Sequence, residues 1–219
     1  MTIIKEMFEN NKKWAKKLKR KDTDFFSKLS KQQHPQYLWI GCADSRVPAN
    51  EIVGLMPGEL FVHRNIANMV IHTDLNCLSV AQYAIDVLKV RHIIICGHYG
   101  CGGISAALKD TATGLSANWI RHIQDIAEKY KPNLKKETDI KQKINVMCEL
   151  NIAEQVYNLA RNSVAQDAWE KQKLTIHGWV YDIEDGLLND LYCNITDTSI
   201  LEEKHSAVIE KIFKKYNID

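Results

Sequence analysis

Four short runs rich in β-branched and aromatic residues punctuate the chain: QYLWIGC (36–42), GELFVHRN (58–65), RHIIICGH (91–98) and KLTIHGWVYDI (173–183). The third is apolar almost without alternation, the pattern of a strand buried on both faces. Between these runs the apolar spacing turns helical, over DLNCLSVAQYAIDVLKV (74–90), NWIRHIQDIAEKY (118–130) and one long stretch from about Asp139 to Lys171. DGLLNDLYCNI predicts an edge strand, DTSILEEKHSAVIEKIFKKY a terminal helix, and the Lys-rich YKPNLKKETD a flexible loop. Strands alternating with helices predict an α/β fold, a mainly parallel central sheet with flanking helices and right-handed crossovers.

Ahead of the first strand, Ile4, Met7, Phe8, Trp14 and Leu18 recur at mostly helical spacing, which predicts an amphipathic helix. DTDFFSKLSKQQ starts a second, shorter one, with Asp22 or Thr23 as its cap. The reading is one domain over 1–219, an N-terminal helical arm (1–35) followed by an α/β core (36–219). Such an arm has two docks open to it, its own core or a partner subunit.

Composition changes this picture little. The chain is 45% hydrophobic and 26% charged, ordinary for a globular protein, and its net charge of +2 gives no global case for nucleic acid or a membrane surface. The basic run NKKWAKKLKRK reads as a solvated helix face. No stretch approaches the roughly 20 apolar residues of a membrane span. The first residues, MTIIKEMFENNKK, lack a signal-peptide pattern and carry Glu6 and Glu9, which transit peptides avoid. With six cysteines in a chain long enough to bury a real core, these features predict a cytoplasmic protein with reduced thiols.

The chemistry sits where two predicted strands end. CADSR (42–46) follows the first and GHYGCGG (97–103) closes the third. In open parallel sheets ligands collect at the carboxyl ends of strands, so residues distant in sequence meet there. Cys42, His98 and Cys101 together offer two thiolates and an imidazole, the donor set of a three-ligand zinc site, and their softness favours zinc over magnesium or calcium. Gly97, Gly100, Gly102 and Gly103 let the backbone turn tightly around the second pair. Three ligands leave a fourth tetrahedral position, open to water that zinc would acidify or to Asp44. Arg46 is placed to hold Asp44 away by a bidentate ion pair.

Other readings remain open from the residues alone. Cys101 as the nucleophile of a cysteine hydrolase needs glycines two before and two after; Gly103 fits, but Tyr99 occupies the earlier place. Asp44 as a permanent fourth ligand would make a closed, structural zinc site, which Arg46 beside it disfavours. Hydrolysis of carbon disulfide or carbonyl sulfide at the same metal would need only the attack of such an activated water.

Taken together, CADSRVP, GELFVHRNIAN, HIIICGHYGCGG, CELNIAEQV and TIHGWVYDI resemble a β-class carbonic anhydrase, over roughly Trp39 to Asp185. The resemblance implies reversible zinc-dependent hydration of carbon dioxide to bicarbonate, with one Zn2+ per subunit on Cys42, His98 and Cys101. It implies that Asp44 and Arg46 form the catalytic dyad, Asp44 joining the zinc in a closed, inactive form and releasing it when paired with Arg46. It implies self-association as dimers or tetramers, the arm wrapped on a neighbour and the active sites at the dimer interface. Gln33, Phe61 and Tyr83 would line the substrate pocket, with Ile66 where other members have valine, and Gly102 would turn a backbone N–H toward substrate. A bacterial-type subgroup also binds bicarbonate at a non-catalytic, allosteric site, whose pattern here reads Trp39, Arg64 and Tyr181. Two thiolates cancel the charge of the ion, so its water should be less acidic than at a three-histidine zinc. Activity is therefore expected to rise toward alkaline pH, with low pH favouring the closed form.

Overall fold

The computed structural model describes residues 3–31 and 33–219. The arm is a long helix, α1 (Ile3–Lys21), and a short one, α2 (Phe25–Leu29). The apolar positions of α1 are not folded back onto the core: Ile4, Met7 and Phe8 are each about two-thirds exposed, and Trp14 meets the arm's own Phe26 edge-on at 5.7 Å. Of the two docks the sequence allows, α1 does not use its own core, while Leu29 of α2 lies against Gly58.

The core alternates β1 (Tyr37–Cys42), α3 (Ala49–Ile52), β2 (Leu60–Asn65), a 3-10 turn (Ile66–Asn68), α4 (Leu75–Asp86), β3 (His92–His98), α5 (Gly102–Lys109), α6 (Gly114–Lys129), α7 (Lys131–Leu134), α8 (Ile140–Ala160), α9 (Ser163–Lys171), β4 (Thr175–Tyr181), β5 (Leu188–Asp190) and α10 (Leu201–Tyr216). One five-stranded sheet has the order β2-β1-β3-β4-β5, parallel throughout except for β5 on the edge. β1 and β3 are neighbours in register, Gly41 opposite Cys96, so Cys42 and His98 emerge together at the carboxyl edge.

Two expectations need correction. The single helix over 139–171 is two, α8 and α9, broken at Arg161–Asn162, where the Asn162 side chain accepts from Val164 N–H and starts a new helix. The Lys-rich segment after Tyr130 is not a plain loop. It holds the short α7, which starts at Lys131 with Pro132 in its first turn, where a missing N–H costs nothing, and it buries Leu134 and Glu137.

α8 is the central support. Every residue from Val146 to Val156 is buried, so its polar members need internal partners. It lies close on the sheet because β3 carries glycine where it passes: a Cβ on Gly97 would come within 2.8 Å of Ile152. The opposite sheet face carries a smaller apolar cluster of Trp39, Val47, Ala49, Leu60, Ile94 and Cys96. No helix among the described residues is long and apolar enough to cross a membrane.

Candidate active site

Cys42 ends β1, His98 ends β3, and Cys101 occupies the N-cap position of α5. All three are buried, and their ligand-type atoms lie within 4.8 Å of one another, with the two sulfurs 3.9 Å apart. The turn between His98 and Cys101 depends on Gly100 at φ +65°, a backbone region that side chains disfavour. Gly102 opens α5, so its N–H belongs to the first turn and lacks an intrahelical partner.

The imidazole orientation follows from its hydrogen bond. His98 Nδ1 is 2.9 Å from the Tyr99 carbonyl, which can only accept, so Nδ1 carries the proton and Nε2 the lone pair. That Nε2 is buried with no hydrogen-bond partner, a state it shares among the described residues only with Asn68 Nδ2. An unpartnered lone pair is costly in the interior, and a cation beside it removes the cost. The sulfurs point the same way. The Cys101 sulfur, 3.9 Å away, and the N–H groups of Asp44 and Ala67 hold the Cys42 thiol below its usual range against the opposing effect of burial. Cys101 is correspondingly pushed up, since the pair keeps one proton between them. Two sulfurs, one of them biased toward the thiolate, and an imidazole lone pair are donors zinc takes, so the residues present fit that ion.

Asp44 is turned toward Arg46. It accepts from Arg46 Nε at 3.0 Å, Nη2 at 2.7 Å and the Arg46 backbone N–H at 2.9 Å. These bonds, the guanidinium first, hold its carboxyl well below the usual range although burial opposes them. Its Oδ2 lies 3.6 Å from His98 Nε2.

The remaining expected residues divide. Arg64 donates through Nε to the Cys42 carbonyl at 2.8 Å and through Nη2 to the Asp44 carbonyl at 2.5 Å, clamping the backbone on both sides of Ala43. Trp39 and Tyr181 belong to the smaller apolar cluster that also contains fully buried Val47. Phe61 and Tyr83 face each other at 6.0 Å between β2 and α4, with Tyr83 exposed. Gln33 is exposed just before β1, and Ile66 is exposed beside a cavity of about 600 Å³ lined by Leu115, Trp119 and His122. One chain therefore assembles Cys42, Asp44, Arg46, His98 and Cys101 in one place, and leaves Gln33, Ile66 and Tyr83 exposed and Phe61 half-buried against the core.

Sequence reasoning missed the support beneath the site. Asn151 donates to the Ala67 carbonyl at 2.9 Å, and Gln155 accepts from Val70 N–H at 2.8 Å. Ala67 and Asn68 sit at φ 63° and 48°, unusual for non-glycine residues, and α8 keeps that turn in place. The signal was present: Glu149, Asn151, Glu154 and Gln155 are polar residues inside an otherwise apolar helical run.

Comparison with known proteins agrees over most of the chain. A family model described as carbonic anhydrase matches residues 37–188. A carbonic anhydrase of Emericella nidulans is 46% identical over 209 residues, which covers 95% of this chain and 89% of that protein. A Coccomyxa β-carbonic anhydrase, solved with acetazolamide, superposes with a TM-score of 0.87 at 36% identity, covering 99% of this chain and 96% of that one. A structure from work on two tetrameric β-carbonic anhydrases of Sordaria macrospora superposes with a TM-score of 0.86 at 36% identity, covering 88% of this chain and 98% of that one.

Proposed function

The chain belongs to the β class of the carbonic anhydrase family, and from that premise we propose that it hydrates carbon dioxide reversibly to bicarbonate at one zinc ion per subunit held by Cys42, His98 and Cys101. The observation that carries the metal is the buried, unpartnered Nε2 of His98 beside a sulfur pair that already favours a thiolate. Zinc, when bound there, supplies the Lewis acidity that makes a water nucleophilic near neutral pH. Asp44 accepts a hydrogen bond from the attacking water and so orients it, while Arg46 keeps the carboxylate ionised and off the metal. Tyr99 O fixes the His98 tautomer. The Gly102 N–H at the start of α5 faces developing negative charge on the substrate.

Asp44 also closes the site. Loss of its ion pair with Arg46 lets Oδ2 cross the 3.6 Å toward His98 and join the ligands. Bicarbonate acts at Trp39, Arg64 and Tyr181, the pattern behind a bacterial-type assignment, although the relative at 46% identity is fungal. Arg64 is what supports that regulation: an anion that took its guanidinium would release the carbonyls of Cys42 and Asp44 together. The exposed apolar face of α1 and the tetrameric Sordaria relatives support assembly as a dimer or tetramer, with the exposed Gln33, Ile66 and Tyr83 and the half-buried Phe61 completing a pocket between chains. Six free, buried cysteines support a cytoplasmic location.

The test combines metal analysis of purified protein with stopped-flow hydration of carbon dioxide across pH. One zinc per chain and a rate rising toward alkaline pH are expected. Metal-free protein with full activity would overturn the proposal. Asp44→Asn should keep its zinc and lose low-pH closure, whereas Trp39→Ala, which removes the indole, should relieve inhibition by bicarbonate. An unchanged bicarbonate inhibition curve would remove the regulatory site.

A further inference from the structure

Glu149, in the middle of α8, is 1% exposed. Three donors converge on its Oε1: Tyr99 OH at 2.5 Å, Lys215 Nζ at 2.6 Å and Tyr216 OH at 2.8 Å. Lys215 also donates to the Tyr99 hydroxyl at 3.0 Å, so the four groups form one closed network. A buried carboxylate is costly unless paired and hydrogen-bonded, and here both conditions hold.

The donors come from two remote places. Lys215 and Tyr216 are the last residues of α10, whereas Tyr99 lies inside the turn that joins His98 to Cys101. The backbone of Tyr99 is held on both sides as well. Its N–H donates to the Tyr181 carbonyl at 3.0 Å, and its C=O takes the His98 Nδ1 proton at 2.9 Å. A side chain fixed at its tip and a backbone fixed at both ends leave the carbonyl one position, and that position sets the His98 ring. We propose that Glu149, together with Lys215 and Tyr216, is a positioning group for the metal ligand His98, so that the C-terminal helix fastens the metal-binding turn from behind. The inference rests on the reading of His98 as a ligand.

The same helix supplies its control. Glu154 is also buried, and its Oε1 takes donors of the same types: Lys129 Nζ at 2.8 Å, Tyr130 OH at 2.5 Å and His205 Nε2 at 2.8 Å. Those donors belong to α6, the junction after it and α10, and none lies in the turn between His98 and Cys101. A purely structural role predicts that the two networks behave alike, while a positioning role predicts that only the Glu149 network governs the metal.

The experiment follows zinc release from the holoenzyme to a chromogenic chelator, with the melting temperature recorded in parallel. Tyr99→Phe and Glu149→Gln should each speed release by about tenfold, the low end of what outer-shell partners contribute to metal affinity. Glu154→Gln should lower the melting temperature at least as much and leave release within about twofold of wild type, as expected for a site without an outer-shell link. Equal acceleration by Glu154→Gln, or wild-type release from both Tyr99→Phe and Glu149→Gln, would overturn the inference while leaving the zinc assignment intact. A wild-type protein that holds no zinc would instead remove the metal reading, and this inference with it.

Discussion

Among the described residues, two clusters bring three ligand-type atoms within 4.8 Å: Cys42, His98 and Cys101, and His63, Asp74 and Cys77. Proximity does not separate them; the state of the lone pairs does. In the second cluster Asp74 Oδ1 already accepts from the N–H groups of Asn76 and Cys77 as the N-cap of α4. His63 Nε2 faces Asn65 Nδ2 at 3.4 Å, a group that can only donate. Burial, with Asp74 adding to it, pushes the Cys77 thiol up to about 12, so it stays protonated. In the first cluster the Cys42 thiol is shifted down, toward the thiolate, and the imidazole nitrogen has no partner. A metal site is thus recognised by donors left over once the fold has satisfied itself.

The comparison breaks most sharply under substitution of its two cysteines. Cys42→Ser should lose nearly all zinc and hydration activity, whereas Cys77→Ser should retain one zinc per chain and a rate within about twofold, being a near-isosteric change away from the chemistry. Metal analysis of the two purified variants decides, and a Cys77→Ser protein without zinc would merge the clusters again.

A second prediction concerns what burial does to charge, which distinguishes Cys77 from Cys42. Burial works against the Glu154 carboxylate too, but hydrogen bonds from His205, Lys129 and Tyr130 outweigh it and lower it from 4.5 to about 2. A carboxyl depressed in the folded state stabilises fully above its unfolded value, and that contribution fades as pH falls toward the folded one. Between pH 4.5 and 2 the wild type should therefore lose stability faster than Glu154→Gln. Parallel acid-unfolding curves for the two proteins would contradict it.

The smallest effect sharpens the role of Asp74. Asp74→Ala removes a cap and should cost about 1 kcal/mol in denaturant unfolding. Its zinc content should stay at the wild-type level, because the carboxylate serves α4 and not an ion.

Much of the site was legible in the chain itself because it rests on local rules. A fully apolar run ending in a histidine, a short strand ending in a cysteine and a glycine turn before a second cysteine place the three donors wherever the two strands are neighbours. Asp44 and Arg46, two residues apart, meet within one turn. The break between α8 and α9 was not legible from hydrophobic spacing, which continues through it, although Asn162 marks it. Nor was the fate of YKPNLKKETD, whose charged residues read as loop while Leu134 and Glu137 are drawn inside.

By itself, then, the sequence determined the alternation of strands and helices and the ligand chemistry at two strand ends, since both follow from side-chain type and spacing over a few residues. Only the tertiary structure decided which of two ligand-like clusters keeps free lone pairs. Only it could show that Glu149, Asn151 and Gln155 reach across from α8 to the turns around the site, and that the apolar face of α1 is left uncovered by its own core. Hydrogen-bond satisfaction is a property of partners brought together from distant parts of the chain, so no local pattern encodes it.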